Sequence, residues 1–296
     1  MTRMVGFGSF STGNEAPRIG FRVGDGVLDL AAQGLGQVFE AQVLNSFLAL
    51  GRAAWEDVVS RVLELVSEGA ELLPLESVEP RLPFEIGDYV DFFSSLEHAT
   101  NTGRLFRPDG DPLHPNWRHL PVGYHGRAGS VVVSGTPVVR PCGQAKAPGE
   151  PGPSFGASRR LDFELELGFV VGVPSRLGEP VAGTAFRDHV FGVVLLNDWS
   201  ARDLQAWESQ PLGPFLGKSF ATSVSAWVTP LALLDERFVP APPQDPEPLP
   251  YLQVRGDWAL DADLEVELSG TVISHVNARG LYWTMPQQLA HATVNG

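Results

Sequence analysis

Polar and apolar residues alternate strictly over 161–167, where Leu161, Phe163, Leu165 and Leu167 interleave with Asp162, Glu164 and Glu166. Successive side chains of a strand point to opposite faces, so this pattern predicts a strand with its acids on one face. Residues 263–268 repeat the pattern with Asp263, Glu265 and Glu267. Carboxylates side by side repel and hold protons unless a cation or solvent intervenes, the setting in which oxygen-only ligand sets recruit calcium or magnesium. A solvated sheet face shows the same alternation, so at most one of the two strands need be a site.

Residues 189–196 form an almost continuous apolar run, as a strand covered on both faces requires. Asp198 follows it, and 199–208 reads as a helix, so Asp198 or Ser200 is either a helix cap or a ligand at a strand end. Arg202 and Gln205, three apart, share a face of that helix. Further strands are expected over 130–133, 161–173, 225–234 and 264–268. Near the start, 21–30 predicts a hairpin about an Asp25-Gly26 turn, and 53–66 spaces Trp55, Val58, Val59, Val62 and Val66 as the core-facing stripe of a helix. Pro74, Pro80 and Pro83 mark a linker, which divides the chain into 1–82 and 83–296. The Pro/Gly stretches 141–156 and 240–250 read as long loops, and the 32 glycines and 25 prolines, mostly at strand ends, fit a mainly β, α+β body with few helices. Thr284 and Gln287 form a capping box that opens a short helix, and 294–296 carries a turn signal with no strand after it.

Composition narrows the partners. The formal net charge is −14 and no basic run occurs, which argues against nucleic acid and anionic membrane. With no apolar signal core at the start and no apolar run near the roughly 18 residues of a membrane span, the expected location is cytoplasmic. Cys142 has no second thiol to pair with, which excludes a disulfide scaffold and a cysteine zinc site.

Three motifs bear on chemistry. Over 213–219, three residues separate Gly213 from Gly217 where a phosphate loop needs four, and Pro214 stiffens the turn, so that reading fails. Lys218 is then either a donor to developing negative charge or a solvated surface lysine. Ser94 and Glu97 form a capping box that places His98 about a turn into a helix with Asp91 just before it, so imidazole and carboxylate can face one cavity. His114, His119 and His125 are too unevenly spaced for a zinc signal.

Taken together, Ile-Gly-Asp-Tyr-Val-Asp-Phe-Phe-Ser-Ser at 86–95, Pro-Asn-Trp at 115–117, Leu-Pro-Val-Gly-Tyr-His-Gly-Arg at 120–127, Val-Ser-Gly-Thr-Pro at 133–137, Leu-Asp-Phe-Glu-Leu-Glu at 161–166, Asn-Asp-Trp-Ser-Ala-Arg-Asp at 197–203 and Pro-Leu-Gly-Pro-Phe-Leu-Gly-Lys-Ser-Phe at 211–220 resemble the fumarylacetoacetase family. The resemblance implies a small SH3-like barrel over 1–82, a β-rich catalytic domain over 83–296, a homodimer, and hydrolysis of the carbon–carbon bond of fumarylacetoacetate to fumarate and acetoacetate, the last step of tyrosine and phenylalanine breakdown. It implies Asp91, Glu164, Glu166 and Asp198 as calcium or magnesium ligands, with Lys218 and Thr222 at a second cation position. His98 matches the general base; Arg107, Tyr124 and Gln205 match substrate contacts; Arg202, Gln205 and Lys218 match the oxyanion donors.

The sequence departs from the family pattern at Phe93 and Ser209, where tyrosines that touch substrate are expected, and at Ala221, where glycine is expected. The family also continues past Gly296, through a Gly-Thr-rich loop and an acidic residue that orients the histidine. Two alternatives stand beside the main expectation: a related acylpyruvate hydrolase or 2-oxo acid decarboxylase or hydratase, and a metal-binding fragment without activity.

Overall fold

A computed structural model describes residues 4–296. The fold is strand-rich α+β, as the alternating and continuous apolar runs predict. Its N-terminal part is a meander of β1 (Met4–Ser11), β2 (Arg18–Val23) and β3 (Gly26–Asp29), followed by helix α1 (Arg52–Ser67). Val23 pairs with Gly26, so the hairpin turns on Gly24-Asp25, one residue earlier than the expected Asp25-Gly26. The turn needs positive φ at its first position, and Gly24 supplies it at 57°. Along α1, Trp55, Val59 and Val62 are buried and Val58 and Val66 half-buried, as the stripe requires.

The rest of the chain contributes β4 (Val90–Phe92), helix α2 (Leu96–Phe106), β5 (Gly123–His125), β6 (Val131–Val133), β7 (Leu165–Val171), β8 (Val190–Asp198), helix α3 (Arg202–Glu208), β9 (Thr222–Val224), β10 (Trp227–Pro230), the hairpin β11 (Asp263–Leu268) and β12 (Thr271–Asn277), and helix α4 (Met285–Ala292). Strand β8 is central: β7 pairs along one edge, and β9 and β10 pair along the other, all antiparallel. It is buried along nearly its whole length, which is why its sequence is apolar without alternation.

The N-terminal meander is continuous with this sheet. Ser9, Phe10 and Ser11 of β1 pair with residues 79–81, while Phe7 and Gly8 pair with Val228 and Trp227 of β10. Phe7, Phe21, Phe47 and Trp55 share one core with Phe191, Val194 and Val228, so apolar packing crosses the linker. Among the described residues the meander is an open sheet, and no closed barrel forms.

Several expected boundaries move. The 161–173 run is interrupted: Leu161 and Asp162 pair with Ala201 and Ser200, and β7 begins only at Leu165. The 225–234 run holds only β10 and a short 3-10 turn at Leu231–Leu233, and β9 ends just before it at Val224. The 141–156 stretch is a small hairpin, Cys142–Ala145 against Ser154–Ala157. Helix α3 starts at Arg202 behind Ala201, which has no capping side chain, so Asp198 terminates a strand and is no cap. The capping box at α4 forms, with the Thr284 N–H donating to Gln287 Oε1 at 3.0 Å.

Candidate active site

Glu164 and Asp198 face each other just beyond β7, each backbone N–H donating to the other's carbonyl at 3.1 and 3.0 Å. Two acids directly opposed on neighbouring strands repel. The repulsion is met by Lys218, 3% exposed, whose Nζ donates to Glu164 Oε2 at 2.8 Å and to Asp198 Oδ2. Lys218 arrives on the turn 213–219, which passes so close to α3 that a Cβ at Gly217 would lie 2.7 Å from the Gln205 nitrogen. Glu208 anchors the turn, accepting from the Gly217 N–H at 2.6 Å. The surface-lysine alternative is excluded.

One oxygen each of Glu164, Glu166 and Asp198 lies within 4.8 Å of the others. Thr222, opposite Asp198 in the β8–β9 register, presents a buried Oγ1 without a partner, and Asp198 Oδ1 is equally unpartnered. Buried polar atoms are almost always satisfied, so an oxygen-lined pocket with two orphans fits a hard divalent cation. Among the described residues no other acid or histidine group converges in this way; His114, His119 and His125 do not, and Glu265 and Glu267 on β11 are exposed.

The electrostatics agree. Burial and the nearby carboxylates of Asp91, Asp198 and Glu164 push the Glu166 carboxyl well above its ordinary range. Burial pushes Asp198 up to about 6, although Lys218 and Arg127 pull the other way. Burial opposes ionisation of Glu164 too, but Lys218 and Arg202 outweigh it and hold that carboxyl down at about 2. Protons held this way are released when a cation binds.

Asp91 is brought in by a residue the sequence analysis passed over. Arg127, its side chain 2% exposed, donates from Nη2 to Asp91 Oδ2 at 2.9 Å and from Nη1 to the Tyr124 hydroxyl, and Nη2 forms an ion pair with Asp198 Oδ2 at 3.1 Å. Asp91 and Tyr124 are cross-strand neighbours on β4 and β5. No local pattern announces Arg127, because its acidic partners lie 36 residues or more away in the chain.

His98 sits in the first turn of α2. The cap is Ser95, whose Oγ accepts from the His98 N–H at 3.2 Å, one residue later than the expected Ser94. Ser94 is taken up elsewhere: its buried Oγ accepts from Gln288 Nε2 at 3.0 Å, and its carbonyl accepts from the Tyr282 and Trp283 N–H groups. His98 Nε2 lies 3.7 Å from Glu164 Oε1, and burial lowers its pKa below the usual imidazole value. Arg202 Nη1 contacts Glu164 Oε1 at 2.7 Å and Gln205 Oε1 at 3.2 Å, and Arg202 Nε holds Asp162 at 2.7 Å.

Comparison with known proteins gives this arrangement a context. Residues 5–83 match the family model described as fumarylacetoacetase N-terminal, and 89–295 match that described as fumarylacetoacetate hydrolase C-terminal. The chain is 47% identical over 319 aligned residues to the fumarylacetoacetase of Rattus norvegicus, covering 98% of this chain and 76% of that one. It is 44% identical over 312 residues to that of Arabidopsis thaliana, covering 96% and 74%. This chain belongs to the fumarylacetoacetase family. It spans about three quarters of the length of these curated relatives. The maleylpyruvate hydrolase of Sphingobium sp. SYK-6, solved with a manganese(II) ion and pyruvate, shares the fold at a TM-score of 0.56 and 17% identity, covering 99% of this chain and 83% of that one.

Against the fumarylacetoacetase pattern, most of the nominated residues converge, but Arg107 does not join the cluster. It ends α2, and its guanidinium is held by the carbonyls of Asp111 and Pro112 in its own loop. Phe93 turns its ring edge-on to His98 at 5.3 Å, and the Ser209 hydroxyl donates to the Gln205 carbonyl at 2.5 Å. Ala221 has no positive φ, so the fumarylacetoacetase glycine is replaced there without backbone strain.

Proposed function

We propose that this chain hydrolyses 4-fumarylacetoacetate to fumarate and acetoacetate at a divalent-cation centre held by Asp91, Glu164, Glu166 and Asp198. The observation that carries the reading is the convergence of Glu164, Glu166 and Asp198 on one point, with Asp198 Oδ1 and Thr222 Oγ1 unsatisfied beside it and His98 at its edge. Calcium or magnesium, when bound, supplies Lewis-acid polarisation of the diketone oxygens and stabilises the enolate that leaves. Lys218 and Thr222 flank a second cation position.

His98 is neutral at physiological pH because burial lowers its pKa, so it is ready to take a proton from water. The hydroxide adds to the carbonyl next to the fumaryl group. An ammonium has three donors, and two of those on Lys218 go to Glu164 and Asp198, which leaves one for the oxyanion. Arg202 and Gln205 supply the other donors, each worth about 3 kcal/mol in a dry site. Collapse breaks the carbon–carbon bond; fumarate forms, and acetoacetate leaves as an enolate that takes up the proton. Tyr124, Gln205 and Arg107 bind the substrate, which for Arg107 requires release from the Asp111 and Pro112 carbonyls.

The protein works as a cytoplasmic homodimer, with an SH3-like N-terminal unit over 1–82 and the catalytic domain over 83–296. A second reading, hydrolysis of an acylpyruvate, is favoured by one observation: Phe93 and Ser209 offer no phenol hydroxyl to a long acyl group. Loss of the diketone ultraviolet absorbance, followed with calcium or magnesium and with chelator, tests both. Cation-dependent loss that yields fumarate and acetoacetate supports the first; turnover of acylpyruvates alone supports the second.

A further inference from the structure

Three cations neutralise the acid cluster, and they do not do the same work. Lys218 reaches Glu164 and Asp198, and Arg202 reaches Glu164 and Asp162. Among the described residues Arg127 alone joins Asp91 to the others, and it does so with a single nitrogen that also serves Asp198. Asp91 lies on the two-stranded β4–β5 ladder and Asp198 at the end of β8 in the main sheet, and no strand pairing connects those two sheets.

The backbone at Arg127 is unusual as well. Its φ is 61°, in the left-handed region that bulky residues seldom adopt. The other described non-glycine residue with positive φ, Ser269, sits in the tip of the β11–β12 hairpin, where such angles are ordinary. Strain of this kind persists where the surroundings over-determine the residue, and here they do. The Arg127 carbonyl accepts from the Ser130 N–H at 3.1 Å, and the guanidinium lies over the rings of Tyr89 and Tyr124 at 5.0 and 5.3 Å. The planar fork is thereby fixed in direction, which an ammonium on a flexible stem could not reproduce.

We propose that Arg127 is a positioning residue for the cation centre: its guanidinium locks Asp91 of one sheet to Asp198 of the other, so that the ligand oxygens are in place before a cation arrives. The inference rests on reading the acid cluster as a divalent-cation site. Arg127 carries the like charge to the incoming ion, so it acts through the geometry of the carboxylates and not by attraction.

Calorimetric titration of the full chain with magnesium and with calcium provides the test, on wild type, Arg127→Gln, Arg127→Lys and a Glu166→Gln control. Loss of a residue that orients metal ligands typically lowers affinity about 10–100-fold. We expect that loss in both arginine variants, with turnover recovering once the cation is raised to saturation. Arg127→Lys keeps the charge in the pocket and protects the test if Arg127→Gln fails to fold. Binding by Arg127→Lys as tight as wild type, or tighter, overturns the inference, because charge or simple repulsion would then be the whole effect. Turnover still lost at saturating cation also overturns it, since Arg127 would then act on the reacting groups. Absence of binding in wild type removes the cation-site reading itself, and cation affinity lowered by Glu166→Gln but unchanged in both arginine variants removes the role of Arg127 alone.

Discussion

Residues 161–167 and 263–268 carry the same alternation of acids and apolar side chains, and they meet opposite fates. The first runs beside β8, which is buried along nearly its whole length, so Glu164 and Glu166 lie against Asp198, with Lys218 and Arg202 on Glu164 and Arg127 on Asp198. The second pairs only with β12, and its acids stay exposed, as do Val272, Ile273 and Val276 on the partner strand. Alternation sets which face a carboxylate occupies. What lies across from that face decides whether it is chemistry or solvation, and that information is long-range.

The comparison can be pressed by substitution. Glu166→Gln should lower divalent-cation affinity at least about 100-fold by calorimetry, as expected for a direct ligand. Glu265→Gln should leave it unchanged, and the reverse result would exchange the roles of the two strands. Lys218→Met leaves Glu164 to Arg202 and Asp198 to Arg127 alone, and should cost about 3 kcal/mol, the lower end for a broken buried pair, in urea denaturation with chelator present. The exposed His275–Asp263 pair at 3.7 Å is the counterpart on the hairpin, and His275→Ala should cost no more than about 1 kcal/mol. Gln288→Leu leaves the buried Ser94 hydroxyl without its donor, at about 1–3 kcal/mol, and should lower kcat by loosening the start of α2 under His98 while cation affinity holds. Val272→Thr on the hairpin should change stability by less than about 0.5 kcal/mol.

Much of the local structure was legible because local rules govern it. The stripe on α1, the apolar run of β8 and the capping box of α4 each follow from residues within one or two turns or one strand. Boundaries slipped where two local solutions compete: Ser94 and Ser95 both can cap α2, and Gln288, nearly two hundred residues on, recruits Ser94. The 161–173 run breaks because Leu161 and Asp162 find a second partner in Ser200 and Ala201. At the site, Glu164, Glu166, Asp198, His98 and Lys218 could be nominated from pattern and resemblance, and the structure brings them together. Arg127 could not, because its meaning depends on two carboxylates on different sheets. Arg107 was nominated, and its own loop holds it apart.

The sharing of the β1 edge also has a kinetic side. Ser9 to Ser11 find their partners at 79–81, but Phe7 and Gly8 wait for Trp227 and Val228, and Thr229 Oγ1 bonds the Val5 carbonyl across 224 residues. At ribosomal speeds of about 5–20 residues per second, that interval is on the order of ten seconds, during which half of the first strand's edge lies open to a neighbouring chain. β10, which finally covers it, also pairs with β8, the strand that ends in Asp198. Newly made chains should therefore acquire a protected edge and a competent catalytic centre in the same late step, and a pulse-labelled nascent chain stopped before residue 227 should be the form that chaperones hold longest.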